Sequence, residues 1–235
     1  MPPTSASARG CAANLRGPIR ISTGRRRTGA GPSTPAAPAP SRKHETDGIL
    51  DATRALVLAE GPRAASVAAI AQASGAPAGT LYHRFGNRNG ILTAAWLRAL
   101  ERFQTRAMAA AAGTALESAV AMAVAAIGFM RELPEDARLL LTIRPGDLLD
   151  GKPDAAFEQT LAAMNAPLQE RVRSLADELY GSTDPRSVDA VARAVADLPY
   201  AVVRRHARDD PIPAWLEDDV AAAVRALLRA YRASA

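Results

Sequence analysis

The residues able to do covalent or metal chemistry are few and scattered. His44, His83 and His206 stand far apart in the 235-residue chain, and Cys11 is its single cysteine. No metal-ligand spacing and no disulfide framework can be drawn from them. No nucleophile sits in a recognisable turn, and the acidic run Glu217-Asp218-Asp219 falls near a helix start, where it complements the helix dipole. The sequence therefore calls for no catalytic residue, no metal and no cofactor. What stands out instead is one short segment that groups Ser66, Ala78, Gly79, Thr80, Tyr82, His83 and Arg88. Hydroxyls, an imidazole and a guanidinium beside small residues are the types that meet phosphates and base edges.

Those residues need elements to hold them. Ile49, Ala52, Leu56 and Ala59 recur at helical spacing and predict a first helix over 45–60, stopped by Gly61-Pro62. Ser66 is an N-cap type before a short second helix, Val67 to about Ser74, with Val67, Ile70 and Ala71 facing inward. Gly75 stands where a left-handed residue ends a helix, and Pro77 suits the first turn of a third helix running to Phe85. Gly86 breaks that helix and Asn87 caps a fourth, which continues to about Ala112. Three short helices with a glycine turn between the last two predict a helix-turn-helix, whose third helix can enter a major groove.

The wording of this segment is similar to a known family. Ser66-Val67-Ala68-Ala69-Ile70-Ala71, then Ser74-Gly75 through Gly79-Thr80-Leu81-Tyr82-His83-Arg84-Phe85, then Arg88 and Ile91-Leu92, resembles the N-terminal domain of TetR/AcrR transcriptional regulators. The resemblance covers residues 45–95. It implies double-stranded DNA as partner, with Tyr82, His83 and Arg88 on phosphates and Thr80 on a base edge. Gly79 would let the backbone approach a base pair, and the second helix's N-terminus at Ser66 would hold a phosphate. Pro77 and Ala78 replace the hydroxyl and polar residues frequent at these positions, so base reading leans on Thr80, apolar contacts and DNA shape. Arg63, Arg84, Arg88, Arg98, Arg102 and Arg106 against Glu101 predict a positive local face.

Beyond this segment the pattern stays helical: 114–132, 135–143, 154–180, 185–208 and 214–233, with Pro199 expected to kink the fourth of these. The expected fold is all-α, about nine helices: a helix-turn-helix domain at 44–95 and a helical body at 96–235. The resemblance makes that body an effector-binding and dimerisation domain. Two apolar faces suggest a homodimer through 185–208 and 214–233: Val188, Val191, Val195, Leu198 and Val202 on one, and Leu216, Val220, Val224, Leu227, Leu228 and Tyr231 on the other. Burial of both faces within one protomer is the competing reading. Met122, Phe129, Met130, Phe157, Met164 and Tyr200 are candidates to line an effector cavity for an apolar or amphipathic small molecule, and each also reads as plain core.

Composition sets the remaining bounds. Apolar residues make up 48% of the chain and aromatics 4%, which favours an Ala-rich helical core. The net charge of +5 is uneven: residues 1–43 hold eight basic residues and no acidic one, so the remainder is net −3. That Pro-, Gly-, Ser- and Arg-rich arm has too few large apolar residues to offset its ordering entropy and is expected to be disordered. A DNA-contacting arm, an inert tail and an upstream start codon are all open origins for it. With one cysteine, no membrane-length apolar run and no secretory signal pattern, the expected location is the cytoplasm. A helical partner-binding protein without DNA-binding activity is the alternative function.

Overall fold

The structure is a computed structural model, and it describes residues 42–110, 113–144 and 155–234. Residues 1–41 of the expected disordered arm, with Cys11, lie outside the described residues, whereas Arg42 and Lys43 open the first helix. Ten α-helices run through the described residues: α1 Arg42–Glu60, α2 Val67–Ser74, α3 Ala78–Phe85, α4 Arg88–Ala109, α5 Ala115–Glu132, α6 Pro134–Thr142, α7 Ala155–Tyr180, α8 Pro185–Ala192, α9 Leu198–His206 and α10 Leu216–Ser234. Helices α8 and α9 are one rod joined by a π-helical turn at Arg193–Asp197, so nine rods result, as expected, among the described residues. That turn is the form the expected kink takes. Pro199 has no N–H and its ring crowds the carbonyl four residues back. The backbone widens ahead of it, and the Leu198 N–H reaches back five residues to the Arg193 carbonyl.

Side-chain capping fixes the start of four helices, at Ser66, Asn87, Thr114 and Asp184. Ser66 Oγ accepts from the Ala69 amide at 3.1 Å, and Asn87 does the same from Gly90 at 2.9 Å. Thr114 and Glu117 form a reciprocal capping box at the start of α5. Gly75 holds the left-handed conformation, φ 71°, that its place between α2 and α3 requires.

Two apolar clusters form the core. The first joins α1 to α4 and also takes in Leu139 and Ile143 at α6 and Phe157 of α7. The second fills the body, with α5 at its centre and α10 packed along it. The expected division at 95/96 falls inside α4, and residues 40–235 form one compact unit. The inward face of α1 is Ile49, Leu50, Thr53 and Val57; of the expected face Ile49 is buried and Leu56 packs on the cluster, while Ala52 is half-buried and Ala59 exposed. Thr53 is fully buried because its hydroxyl donates to the Ile49 carbonyl at 2.8 Å, which removes its need for water.

The apolar strip of α10 expected between protomers is used within one. Leu216, Val220, Val224 and Leu228 are each at most 2% exposed. Val191 and Val195 are buried likewise, whereas Leu227, at 46% exposed, is not. A strip repeating every four residues packs equally well on a neighbour of the same chain, and α5 supplies that neighbour here. The apolar residues that the α8–α9 rod and α10 leave outward include Ala196, Tyr200, Ala201, Ala222, Ala226 and Leu227, interspersed with exposed charges such as Arg193, Arg204, Arg225 and Arg229.

Candidate nucleic-acid interface

Helix α3 is held from behind and open in front. Leu81 is fully buried against the cluster containing Ile70 and Ile49, and Phe85 packs on the same cluster. Ala78, Gly79, Tyr82 and His83 point to solvent, with Tyr82 55% exposed and Thr80 half-buried beside them. Ser66 is exposed at the α2 N-terminus. All seven expected contact residues therefore lie on α3 or on the element ends flanking it. A Cβ built at Gly79 would meet no atom within 4 Å, so nothing inside the protomer requires a glycine there.

Gly90 is the position sequence reading missed. A Cβ there would lie 1.9 Å from the Phe85 carbonyl oxygen, so only glycine lets α4 start this close to the end of α3. The crowding is between backbones, and no side-chain pattern announces it.

The arginines mostly brace the scaffold, which corrects the expected positive face. Arg84 pairs with Glu45 and donates to Thr46 at 2.9 Å, tying α3 to α1. Arg98 pairs with Asp47 at 3.0 Å and Asp51 at 2.6 Å, Arg102 with Asp136, and Arg106 with Glu132. Arg88 donates Nε to the Ala65 carbonyl at 2.9 Å and Nη2 to the Pro62 carbonyl, pinning the turn before α2. Its partners are neutral, so it keeps its positive charge near α3. Arg63 is exposed on the same turn. Sequence counting had no means of locating the acidic partners contributed by α1, α5 and α6.

The fulcrum between the two clusters is Asp136 on α6, 1% exposed. Its carboxylate accepts from Arg54 of α1 and, at 2.7 Å, from Arg102 of α4. Arg54 also pairs with Glu135 at 2.7 Å. Burial pushes the Asp136 carboxyl upward, but the hydrogen bonds from Arg102 and Arg54 outweigh it and hold the group below its ordinary value. Beside it, the Trp96 indole donates to the Ile143 carbonyl at 3.1 Å.

The other face of α6 walls a cavity of about 230 Å³ in the body. Ala137, Leu140 and Leu141 form that wall, facing Phe103 of α4, Met122 and Phe129 of α5, Leu168 of α7, and Tyr200 of α9. Three of the expected lining residues, Met122, Phe129 and Tyr200, are present. The other three are not. Met130 is core on the same helix but turned away from the space. Phe157 packs edge-on to Trp96, 6.4 Å between centroids, in the N-terminal cluster. Met164 lines a separate open groove between α1, α4 and α7. Helical spacing marks a residue as inward but not which of two interior spaces it reaches. Among the described residues no group of three or more His, Cys, Asp or Glu is placed to hold a metal, and no helix is long and apolar enough to cross a membrane.

Residues 49–95 match the model of a known family, the bacterial regulatory proteins of the tetR family. No curated protein matches the chain in sequence. Solved structures share its fold at low identity. A TetR-like transcriptional regulator from Rhodococcus sp. RHA1 is 19% identical with a TM-score of 0.61, covering 83% of this chain and 98% of its own. A TetR-family transcriptional regulator from Streptomyces coelicolor is 16% identical with a TM-score of 0.62, covering 81% and 97%. PfmR, a TetR-family transcriptional regulator from Thermus thermophilus, is 23% identical with a TM-score of 0.59, covering 78% and 95%.

Proposed function

We propose that this chain is a TetR-family DNA-binding transcriptional regulator, on the family match over residues 49–95 and the geometry of α3, and that it reads and releases DNA as follows. The observation that carries the reading is the two-sidedness of α3: Leu81 locked into the core, Ala78, Gly79, Tyr82 and His83 presented outward. Thr80, Ala78 and Gly79 enter the major groove and meet base edges. Tyr82, His83 and the α2 N-terminus at Ser66 grip the phosphates on either side and set the register, while Arg88, its guanidinium held on the Ala65 and Pro62 carbonyls, attracts them through its charge.

One protomer presents one recognition helix. The working species is a homodimer, joined through the outward residues of α8, α9 and α10, which spaces two such helices near the roughly 34 Å repeat of successive major grooves. The protein acts as a cytoplasmic repressor on a palindromic operator. A small molecule entering the body cavity releases it. Helix α6 carries the signal, because one face walls the cavity while Asp136, Leu139 and Ile143 grip the N-terminal cluster. A ligand that fits better when α6 is displaced shifts the population toward dimers whose recognition helices no longer match the half-sites.

Sites selected from random duplex DNA, followed by anisotropy titrations at several salt concentrations, test this. Tyr82→Ala weakens binding by about tenfold on all sequences, the size expected for one lost hydrogen bond to a charged group. Thr80→Ala relaxes preference at one base pair by about 1–3 kcal/mol. If neither change alters salt-sensitive binding, the DNA-reading mechanism is wrong and the partner-binding alternative takes its place.

A further inference from the structure

We infer that the body cavity takes an uncharged, largely apolar molecule of about nine non-hydrogen atoms, a single ring with a short neutral substituent or a small fused ring pair. The inference rests on the reading of this cavity as the effector site and narrows it to a chemical class.

The wall decides the charge. Among the described residues, every side chain lining the space is aliphatic, thioether or phenyl except Tyr200, whose hydroxyl is the one polar side-chain group, and Tyr200 is itself 54% exposed. Among the described residues no arginine, lysine, histidine, aspartate or glutamate lines it. The backbone offers little at the start of α6, where the Ala137 amide is already donated to the Leu133 carbonyl at 3.0 Å. A carboxylate or ammonium group seated among these side chains, away from the exposed mouth at Ala196 and Tyr200, would lose its hydration and find no counter-charge on the described wall, a penalty that a molecule of this size cannot recover from apolar contact. Neutral molecules meet no such barrier.

The volume decides the size. A cavity of about 150 Å³ lined by aliphatic and phenyl side chains accommodates benzene. This one, at about 230 Å³, is half as large again, which scales to about nine heavy atoms rather than a long acyl chain or a steroid. The wall also favours a ring. Phe103 and Phe129 stand edge to face, 5.5 Å between centroids, and together give an aromatic guest a face and an edge to pack on.

Acetophenone and benzoate form the test pair, because both have about nine non-hydrogen atoms and nearly the same outline while only benzoate is charged at neutral pH. The full-length protein is titrated with each and followed by thermal unfolding and by calorimetry, with indole and naphthalene as further neutral probes. The expected result is a saturable rise of several degrees in Tm with acetophenone or another neutral probe, and at least tenfold weaker binding of benzoate. Ala126→Leu and Val203→Phe each fill the space, and whichever keeps the wild-type circular dichroism spectrum is expected to lose the response. Equal or tighter binding of benzoate, a response that survives filling, or no response to any neutral probe at saturation overturns the inference. Operator release is read separately on the same samples. A neutral probe that binds in the cavity without weakening operator affinity upholds the ligand class and refutes the effector reading.

Discussion

Replacing Asp136 by asparagine keeps the shape of the side chain and removes its charge, which isolates the contribution of the ion triad that joins α1, α4 and α6. Two guanidiniums then face an amide that can satisfy only part of their donors. Removing one partner from a fully buried pair costs about 3–5 kcal/mol. The lower end applies here. Arg54 retains Glu135 at 2.7 Å and Asp51 at 3.4 Å, and the Arg102 side chain, 36% exposed, can turn to water. The expected loss is about 3 kcal/mol at pH 7, which for a protein of this size lowers Tm by about 6–12 °C. The pH dependence follows from the direction of the shift. The folded-state carboxyl titrates below its unfolded value, so its contribution is fully present above the ordinary aspartate value of about 3.9 and fades as pH falls through the lower folded value. Urea unfolding monitored at 222 nm, repeated from pH 7 down to pH 3, checks both statements. The gap between wild type and variant begins to close below about pH 3.9 and is narrower at pH 3 than at pH 7. A loss below about 1 kcal/mol at pH 7, or a gap that stays constant to pH 3, refutes the account of Asp136 as an ionised fulcrum.

Two further outcomes are expected. Gly90→Ala drives a methyl into the Phe85 carbonyl and forces α4 away from α3; it is expected to lower stability by about 1–3 kcal/mol and to weaken operator binding more than Tyr82→Ala does, measured by urea unfolding and anisotropy on one preparation. Ala226→Arg places a charge on the outward stripe of α10, where it is expected to leave the protomer's fold intact but shift sedimentation from dimer to monomer; an unchanged dimer moves the interface elsewhere.

Much of the interface was legible because its signals are local. Ser66, Gly75, Pro77, Gly86 and Asn87 mark helix ends through backbone and capping chemistry that acts within four residues, and the helices end there. Leu81 and Phe85, four apart, read as the packed side of α3, which by subtraction left Ala78, Gly79, Tyr82 and His83 outside. Thr53 was absent from the expected inward face because its buried hydroxyl is satisfied by its own helix, which a polarity pattern does not register. Gly90 was invisible because it serves a backbone-to-backbone contact.

The sequence by itself determined the helices, the helix-turn-helix and the identity of the exposed residues on its third helix, since all of these follow from contacts between near neighbours in the chain. Only the tertiary structure decided which partner each inward face found. It sent the α10 strip to α5 rather than to a second protomer, and sent Phe157 to Trp96 rather than to the cavity. It also turned a count of arginines into a set of braces on Glu45, Asp47, Asp136 and Glu132. Apolar attraction and charge pairing are indifferent to sequence separation, so a one-dimensional pattern states that a face will be buried or a charge paired and leaves the partner to the fold.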